Sequence, residues 1–350
     1  MERRFLKIAF LLRSDGVSGG VRAIVRFANE LLKMGHHVRI FYRDDKSIIR
    51  NIYQRIRYGR RRNWLDDFNG KSFAYRHLQS RSFSQDELIV AMCAQTTFDA
   101  CSLSGNVGIK LLHCHGAELE NWEYMVKSWR LKIPKIVVSS FLIDLIKSET
   151  GQEVIGIAPD GVDMSEYYSC IEYDKRRAIG GVIRWGLAKD PDSTIKVFQQ
   201  LHELIPDADL VTFGADRNAN VNHVAFTRNP TVPQAREIYS SCKIWFLASK
   251  QEGFGLPLLE AMACGCVVVS TNCGGPSDII ADGINGFIVD VGDVDMMVDK
   301  IKAVWEDAEL QQQISKRAIE TARDFTWRAG AKKLEGFLQD IYKNDVLQNK

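Results

Sequence analysis

Residues 249–270, SKQEGFGLPLLEAMACGCVVVS, join a glycine-containing loop, a short helical segment and an apolar run of strand length. Pro257 fits the first helical position, where its missing N–H costs nothing. Gly253 and Gly255 precede the helix, and Gly265 follows it. The first N–H groups of a helix lack internal partners and carry partial positive charge. The segment therefore predicts an anion site for which phosphate is the usual ligand.

Two glutamates flank this loop. Glu260 lies about one turn inside the helix, and helical side chains lean toward the N-terminus, so its carboxylate can reach a group beside a bound phosphate. A carboxylate accepts two hydrogen bonds, which suits the vicinal diol of a ribose, while Glu252 is placed to accept from sugar hydroxyls. The spacing indicates a nucleotide sugar. Two alternatives remain open: two solvated surface acids, or the acid/base pair of a glycosidase.

The same alternation of strand, loop and helix extends outward in both directions. FLKIAFLL at residues 5–12 has strand character, and residues 21–35 have helical spacing with Gly35 as the stop. Further strand candidates are VRIFY, ELIVAMCA, GIKLLHCH and IPKIVVSS, then GGVIRW, DADLVTFGA, VNHVAF, KIWFLAS, CVVVST and GFIVDV. STIKVFQQLHELI and VPQAREIYSS have helical character, and Thr326 is an N-cap candidate for a helical tail. The pattern predicts two α/β domains with parallel sheets.

Composition is that of an ordinary globular protein. The 350 residues are 45% hydrophobic and 26% charged, with a net charge of +2, and their number suits two domains. No apolar run approaches the ~18 residues that span a bilayer, and the start of the chain offers no cleavage site, so we expect a cytoplasmic protein. The eight cysteines show no Cys-x-x-Cys spacing, which favours buried reduced thiols over a metal site.

At this point the chain resembles a known family. SKQEGFGLPLLEAMACG is similar to the Glu-x7-Glu donor motif of retaining glycosyltransferase family 4, whose members have the α/β GT-B fold of two facing Rossmann-like domains. GVSGGVRAIVRFANELLKMGHHVRIF resembles the N-terminal glycine loop and first helix of that family. IAPDGVDMSEYY resembles its domain-joining segment, and GGPSDIIADGINGFIVDVGD its closing signature. The likeness extends over nearly the whole chain.

The resemblance implies roles for the residues of the motif. Glu260 is similar to the residue that binds the donor ribose, and Glu252 to the one near the donor sugar hydroxyls. Backbone amides of Phe254, Gly255 and Leu256 are expected close to the sugar and the phosphate.

Arg184 and Lys189 follow a strand candidate in IRWGLAKD, where ligands meet an α/β sheet. Fixed cations there would stabilise the charge that develops on a leaving diphosphate. Their spacing is similar to the diphosphate-binding pair of the family, although solvated surface positions are the ordinary alternative. Asp190 stands where the family usually has glycine, which leaves the local loop shape open.

Two further groups complete the predicted site. His115 ends the strand LLHCH and resembles the histidine that the family places beside the donor sugar, with His113 held in reserve; a structural histidine is the alternative. Gly19 and Gly20 open a helix and are predicted to approach phosphate or acceptor. Their loop is not Gly-x-Gly-x-x-Gly, which argues against a bound NAD.

A basic segment lies in the first half of the chain. From residue 43 to residue 81 there are eleven Lys/Arg and four Asp, and isoleucines recur at helical spacing in residues 48–56. A basic amphipathic helix of this kind is predicted to bind an anionic membrane surface or an acceptor. The alternative is an ordinary helix packed on its domain. The arginines that carry the prediction are Arg55, Arg57, Arg60, Arg61 and Arg62.

Together these features predict a hexosyltransferase that moves a sugar from a nucleotide-diphosphate donor to a saccharide or lipid-linked hydroxyl acceptor in cell-surface polysaccharide or glycolipid synthesis, and the resemblance implies that it retains the anomeric configuration. No cofactor, metal or nucleic acid is expected, and the protein is expected in the cytoplasm or on the inner face of the membrane. Predicted domains are an acceptor-binding 1–167, a donor-binding 168–328 and a helix in 329–350 that packs across the junction. The rivals are a nucleotide-sugar epimerase and a non-catalytic sugar- or membrane-binding protein.

Overall fold

Two parallel sheets, each covered by helices, organise the chain. The computed structural model describes residues 4–16, 18–44, 63–105, 107–117, 119–214 and 221–348. Within these ranges the first sheet has strand order β3-β2-β1-β4-β5-β6-β7. Its strands are β1 Lys7–Leu12, β2 His37–Arg43, β3 Lys71–Tyr75, β4 Glu87–Ala91, β5 Ile109–Cys114, β6 Lys135–Val137 and β7 Gly156–Ile157. Its helices are α1 Gly19–Lys33, α2 Ala94–Cys101, α3 Trp122–Trp129 and α4 Ser140–Thr150.

The second sheet repeats the plan with strand order β10-β9-β8-β11-β12-β13. Its strands are β8 Ala178–Val182, β9 Asp209–Gly214, β10 Val224–Arg228, β11 Cys242–Leu247, β12 Val267–Thr271 and β13 Phe287–Val289. The accompanying helices are α5 Pro191–Leu204, α6 Val232–Ser241, α7 Leu256–Ala263, α8 Val294–Glu306, α9 Ala308–Asp324 and α10 Trp327–Gln348. Every strand pairing in both sheets is parallel, which confirms the predicted fold class.

Local sequence explains most of these elements. Helix α1 begins after Ser18, whose Oγ accepts from the N–H of Val21 at 3.3 Å, and Gly35 beyond its end adopts a φ of 94°. The predicted stop at Gly35 is confirmed. Two strands were not predicted: β3 is exposed at four of its five residues, and β7 is only two residues long. Neither carries the continuous apolar run that marks a buried parallel strand.

The chain crosses between the domains twice, and the two crossings lie side by side. The N–H of Val162 donates to the carbonyl of Phe325 at 2.8 Å. A Cβ on Gly161 would lie only 2.3 Å from the backbone nitrogen of Trp327, so this close approach requires glycine. One apolar cluster runs from the first sheet through this junction into the second. The predicted domain boundaries stay predictions.

Helix α10 returns to the first domain. The hydroxyl of Thr326 accepts from the N–H of Ala329 at 3.2 Å, which confirms the predicted N-cap. Along the helix, Glu335 contacts Nε2 of the buried His36 at 2.9 Å. The helix therefore anchors the end of the described chain on the N-terminal sheet.

All eight cysteines are free thiols, as predicted. Five are buried, Cys170 is exposed, and the remaining two are half-buried, so the predicted burial holds for only part of the set. Burial raises the pKa of Cys242 to about 12 and the pKa of Cys273 to about 11. These two thiols therefore stay protonated and behave as small apolar side chains.

Arg176 holds together the start of the second domain. It is buried, and its guanidinium donates to the carbonyls of Cys242 at 3.1 Å and Cys264 at 2.9 Å. A further donor reaches the hydroxyl of Ser169 at 2.6 Å. One side chain thus connects the incoming segment to the ends of two core elements, α6 and α7.

Replacing Arg176 by alanine should lower the free energy of unfolding by about 3 kcal/mol, because two buried carbonyls would lose their donors. The neighbouring Arg177 is exposed, so Arg177→Ala serves as the matched control and should change the free energy by less than about 0.5 kcal/mol. Urea unfolding of both variants measures the difference. Equal effects would show that the buried hydrogen bonds contribute little.

Candidate active site

The predicted site residues of the C-terminal domain lie at the carboxyl edge of the second sheet. Arg184 and Lys189 follow β8, and Glu252 follows β11, its neighbour in the sheet. The strand order reverses between these two strands, since β9 lies on one side of β8 and β11 on the other. A crevice forms outside the strand ends at such a reversal, and ligands of open α/β sheets bind there.

The loop of the opposite domain closes over this edge. A Cβ on Gly253 would lie 2.0 Å from the carbonyl oxygen of His115 and 2.9 Å from Cα of Gly116. On the other side, an added Cβ at Gly19 would lie 3.9 Å from Cδ1 of Leu256, the first residue of α7. The described structure is therefore a closed arrangement in which glycines allow backbone from the two domains to meet.

Helix α7 begins at Leu256, so Pro257 is its second residue and not its first as predicted. Gly255 caps the helix with a φ of 102°, a conformation that favours glycine. The side chains of Phe254 and Leu256 are buried. Any contact from these two residues to a ligand in the cleft must therefore come from their backbone.

Glu260 is only 5% exposed and has partners on both carboxylate oxygens. The hydroxyl of Tyr239 donates to Oε2 at 3.0 Å. The guanidinium of Arg22, from α1 of the opposite domain, donates to Oε1 and forms an ion pair with it. Burial and Glu260 raise the pKa of Tyr239 well above its ordinary value, so this hydroxyl remains a donor.

Sequence reasoning missed Arg22, Tyr239 and the neighbouring Tyr167. Arg22 lies 238 positions from Glu260 in the chain, so no local spacing links them. One signal was available: Arg22 follows the predicted glycine loop by two residues and lies in a helix whose other face is apolar. A single arginine at that position does not distinguish a site residue from a solvated one.

The second glutamate is paired within its own domain. Glu252 accepts from the ammonium of Lys189 at 2.7 Å and from the hydroxyl of Ser249 at 3.0 Å. Its backbone N–H donates to the carbonyl of Cys273 at 2.8 Å, which fixes the loop. The structure thus brings together two of the residues that the sequence predicted for the sugar and the diphosphate.

Arg184 differs from the other charged residues of this edge. Glu252 is neutralised by Lys189, and Glu260 by Arg22. Arg184 is exposed and has no ionic partner in the ranges that the structure describes. Among the described residues Arg184 is thus an exposed cation available to a bound anion, although the carboxylate of Glu120 lies against the same loop, where it accepts from the N–H of Leu187 at 2.9 Å.

Asp190 adopts the backbone conformation that a glycine would adopt here. Its φ of 41° and ψ of 65° lie in the left-handed region, which aspartate tolerates. It also caps α5, because its carboxylate accepts from the N–H of Ser193 at 3.5 Å and from the hydroxyl of the same residue at 2.9 Å, and it forms an ion pair with Lys250 at 3.3 Å. The loop after Lys189 thus keeps a left-handed turn without glycine.

Replacing Asp190 by alanine should lower the free energy of unfolding by about 1–2 kcal/mol, because the cap is lost and the left-handed conformation is strained. Asp190→Gly should cost only a few tenths of a kcal/mol, since glycine tolerates both. Chemical denaturation of the two variants provides the comparison. If glycine were as damaging as alanine, the carboxylate and not the turn would control the stability of this loop.

His115 and His113 form a buried chain with the domain-joining segment. Nε2 of His115 lies 3.2 Å from Nδ1 of His113, and Nε2 of His113 lies 3.3 Å from the carbonyl of Ala158. Nδ1 of His115 lies 3.2 Å from Oδ1 of Asp160, without hydrogen-bond geometry. Burial and the nearby His115 lower the pKa of His113 well below its ordinary value, so His113 is neutral.

Both ring nitrogens of His115 thus face residues of the protein, and only its backbone carbonyl faces Gly253. Contact between its ring and a donor sugar requires the ring to turn, and the predicted role stays a prediction. Gly20 packs against Met92, where an added Cβ would lie 2.8 Å from the methyl carbon. Of the predicted glycine pair, therefore, Gly19 is the one that meets α7 across the cleft.

Residues 45–62 of the predicted basic segment, which include Arg55, Arg57, Arg60, Arg61 and Arg62, lie outside the described residues. None of the helices within the described ranges combines the length and the apolar character needed to cross a membrane. Those ranges also contain no group of three or more His, Cys, Asp or Glu side chains arranged to hold a metal ion.

Comparison with known proteins finds a family and relatives that match part of the chain. Residues 171–321 match the family described as Glycosyl transferases group 1. The D-inositol 3-phosphate glycosyltransferase of Corynebacterium diphtheriae is 30% identical over 177 residues, which cover 46% of this chain and 42% of that protein. Sucrose synthase 5 of Arabidopsis thaliana is 27% identical over 246 residues, which cover 64% of this chain and 25% of that protein. The matches to D-inositol 3-phosphate glycosyltransferases span about half the length of those relatives.

Solved structures match the architecture of both domains. Anabaena Alr3699/HepE in complex with UDP and glucose gives a TM-score of 0.76 at 15% identity, covering 95% of this chain and 99% of that chain. TarM gives a TM-score of 0.76 at 13% identity, covering 98% of this chain and 100% of that chain. The predicted GT-B fold is confirmed.

Proposed function

We propose, from the match of residues 171–321 to the family described as Glycosyl transferases group 1, that the protein is a retaining hexosyltransferase. It transfers a sugar from a nucleotide-diphosphate donor to a hydroxyl group of a saccharide or lipid-linked acceptor. The donor lies in the cleft at the carboxyl edge of the second sheet. The N-terminal domain supplies the acceptor surface, and the product belongs to a cell-surface polysaccharide or glycolipid.

The observation that carries this proposal is the charge arrangement at that edge. Arg184 is exposed and has no ionic partner among the described residues, while Lys189 holds Glu252 at 2.7 Å beside the N-terminus of α7. A diphosphate would find the exposed Arg184, a second cation that can turn from Glu252, and the positive end of the dipole of α7. Glu252 would then be released to accept from the hydroxyls of the donor sugar.

The transfer step needs no basic side chain to take up the proton of the acceptor. The bond between the anomeric carbon and the phosphate oxygen breaks, and its electron pair stays on the departing diphosphate. The acceptor oxygen bonds to the anomeric carbon from the same face, and its proton passes to the departing phosphate oxygen. Arg184 and Lys189 stabilise the charge that develops on the leaving group, so they act more strongly in the transition state than in the ground state.

In this proposal cations and a helix terminus fulfil the role that a divalent metal has in other nucleotide-sugar enzymes, and transfer proceeds in the presence of EDTA. The protein works in the cytoplasm, on the inner face of the membrane, where basic residues 55–62 bind anionic lipid. It has no nucleic-acid partner.

The donor site is tested first by thermal shift against UDP-, GDP-, ADP- and CMP-sugars with EDTA present. A ligand at 100 times its dissociation constant stabilises the fold by about 2.7 kcal/mol, and we expect one nucleotide of the panel to do so. Glu260→Ala should abolish that shift, because the ribose loses its carboxylate. A folded wild type that no donor stabilises would contradict the proposal and favour a non-catalytic binding protein.

The donor that binds is then incubated with and without acceptor candidates. Turnover of the donor to a sugar epimer in the absence of any acceptor would identify the rival epimerase. Transfer to a hydroxyl acceptor, with the anomeric configuration of the product read by NMR, tests retention directly. Inversion would leave the transferase assignment in place and contradict the proposed same-face course.

Arg184→Ala should lower the rate of sugar transfer by about 10²- to 10³-fold, the effect of removing one group that stabilises developing negative charge. The KM for the donor should change less, because this contribution is largest in the transition state. Arg177 precedes β8, whereas Arg184 follows it, and it too is exposed. Arg177→Ala is therefore the control and should retain full activity; equal losses in both variants would rule out a specific role for Arg184.

A further inference from the structure

Arg22 belongs to a buried polar cluster that no element of the C-terminal domain could form alone. Its Nη2 donates to Oε1 of Glu260, and its Nη1 donates to the hydroxyl of Tyr167 at 3.3 Å. Its guanidinium lies over the ring of Trp64 at 5.3 Å. Arg22 is therefore held from three directions, and its geometry depends on both domains.

The hydrogen bonds of this cluster leave Glu260 with unused capacity. Arg22 occupies one position on Oε1, and Tyr239 occupies one position on Oε2. An ionised carboxylate has about four acceptor positions, so each oxygen can accept one more hydrogen bond. A vicinal diol presents two hydroxyls at a matching separation. The two protein donors thus fix the plane of the carboxylate and leave both oxygens able to accept from a ligand.

Arg22 also determines whether a charged Glu260 can remain buried. Burial by itself would lower the pKa of Arg22, but the attraction of Glu260 more than reverses this effect and raises the pKa. A buried carboxylate without a cation is costly, and among the described residues Arg22 is the cationic group that contacts it. Since α1 and α7 belong to different domains, this neutralisation exists only when the cleft is closed.

The cluster contains one further unsatisfied donor. Nε of Arg22 is buried and has no hydrogen-bond partner within the described chain. A buried donor without an acceptor is unfavourable, so the cluster is incomplete as it stands. A ligand oxygen within hydrogen-bond distance of Nε of Arg22 would complete it.

We propose that Arg22 is a positioning residue which, from the acceptor-binding domain, orients Glu260 for the ribose diol and so couples recognition of a ribonucleotide to closure of the cleft. The inference rests on the proposed function, because it takes Glu260 as the group that binds the ribose. Because the coupling is reciprocal, a bound ribose favours the closed arrangement to the same extent that closure favours the ribose.

The test compares two dissociation constants, measured by calorimetry. One is for the nucleoside diphosphate that binds the wild type, chosen from UDP, GDP and ADP. The other is for the 2′,3′-dideoxy counterpart of that nucleotide, and their ratio gives the ribose preference. The wild type should prefer the ribonucleotide by about tenfold or more, because the diol donates to a charged acceptor. Arg22→Ala should bring this ratio close to one, and Arg22→Lys should restore part of it. Tyr239→Phe should lower it to an intermediate value.

Arg26 provides a matched control one turn further along α1. It is paired with Glu166 at 2.6 Å and does not contact Glu260. Arg26→Ala therefore removes a partly buried ion pair from the same helix and should leave the ribose preference unchanged. Melting temperatures of all variants separate loss of fold from loss of preference, and Arg22→Lys covers the case in which the alanine variant does not fold.

The outcomes distinguish this inference from the proposed function. If no nucleoside diphosphate binds the wild type, the proposed function is wrong and the role of Arg22 is wrong with it. If the wild type binds and Arg22→Ala keeps the ribose preference, only the inference is overturned. Tighter binding by Arg22→Ala would also overturn it, since the ion pair would then be a contact that the donor must break.

Discussion

Both sheets are entirely parallel, and this constraint determines where every chemically useful residue can lie. In a parallel sheet all strands end at the same edge, so the loops that follow them collect on one side. The chain places two such edges face to face, and the loop at His115 and Gly116 meets Gly253 at van der Waals distance. The crossing at Gly161, where backbone approaches the start of α10, holds the two domains in this relation.

From this arrangement follows a division of charge across the cleft. Lys189 and Glu252 come from neighbouring loops of one sheet and neutralise each other without help from the other domain. Glu260 is different, because its cation comes from α1 on the opposite side. The first pair can therefore rearrange within a fixed domain, whereas the second can be lost or gained only by moving one domain against the other. A ligand that carries both an anion and a diol would contact both ion pairs, the anion at Lys189 and the diol at Glu260.

Strands and site residues could be predicted from the sequence where a short stretch of residues carries the pattern that identifies them. The long apolar runs predicted eleven strands because parallel strands buried on both faces need no alternation. The edge strand β3, mostly exposed, and the two-residue β7 had no such run. Arg184, Lys189, Glu252 and Glu260 were predicted because each lies in a loop or helix start that follows a recognisable strand.

The remaining contacts of the site became apparent only in the tertiary structure, because the residues that make them are far apart in the chain. No sequence feature near Arg22 predicts its contact with Glu260. Likewise, the contacts among His113, His115 and Asp160 form only because the domain-joining segment packs beside β5. The loop shape at Asp190 also could not be predicted from the sequence. Its identity left the loop shape open, and the loop adopts a left-handed turn in which the carboxylate contacts Ser193 and Lys250. Aspartate tolerates this backbone conformation, and the contacts that its carboxylate makes with Ser193 and Lys250 stabilise the loop in that shape.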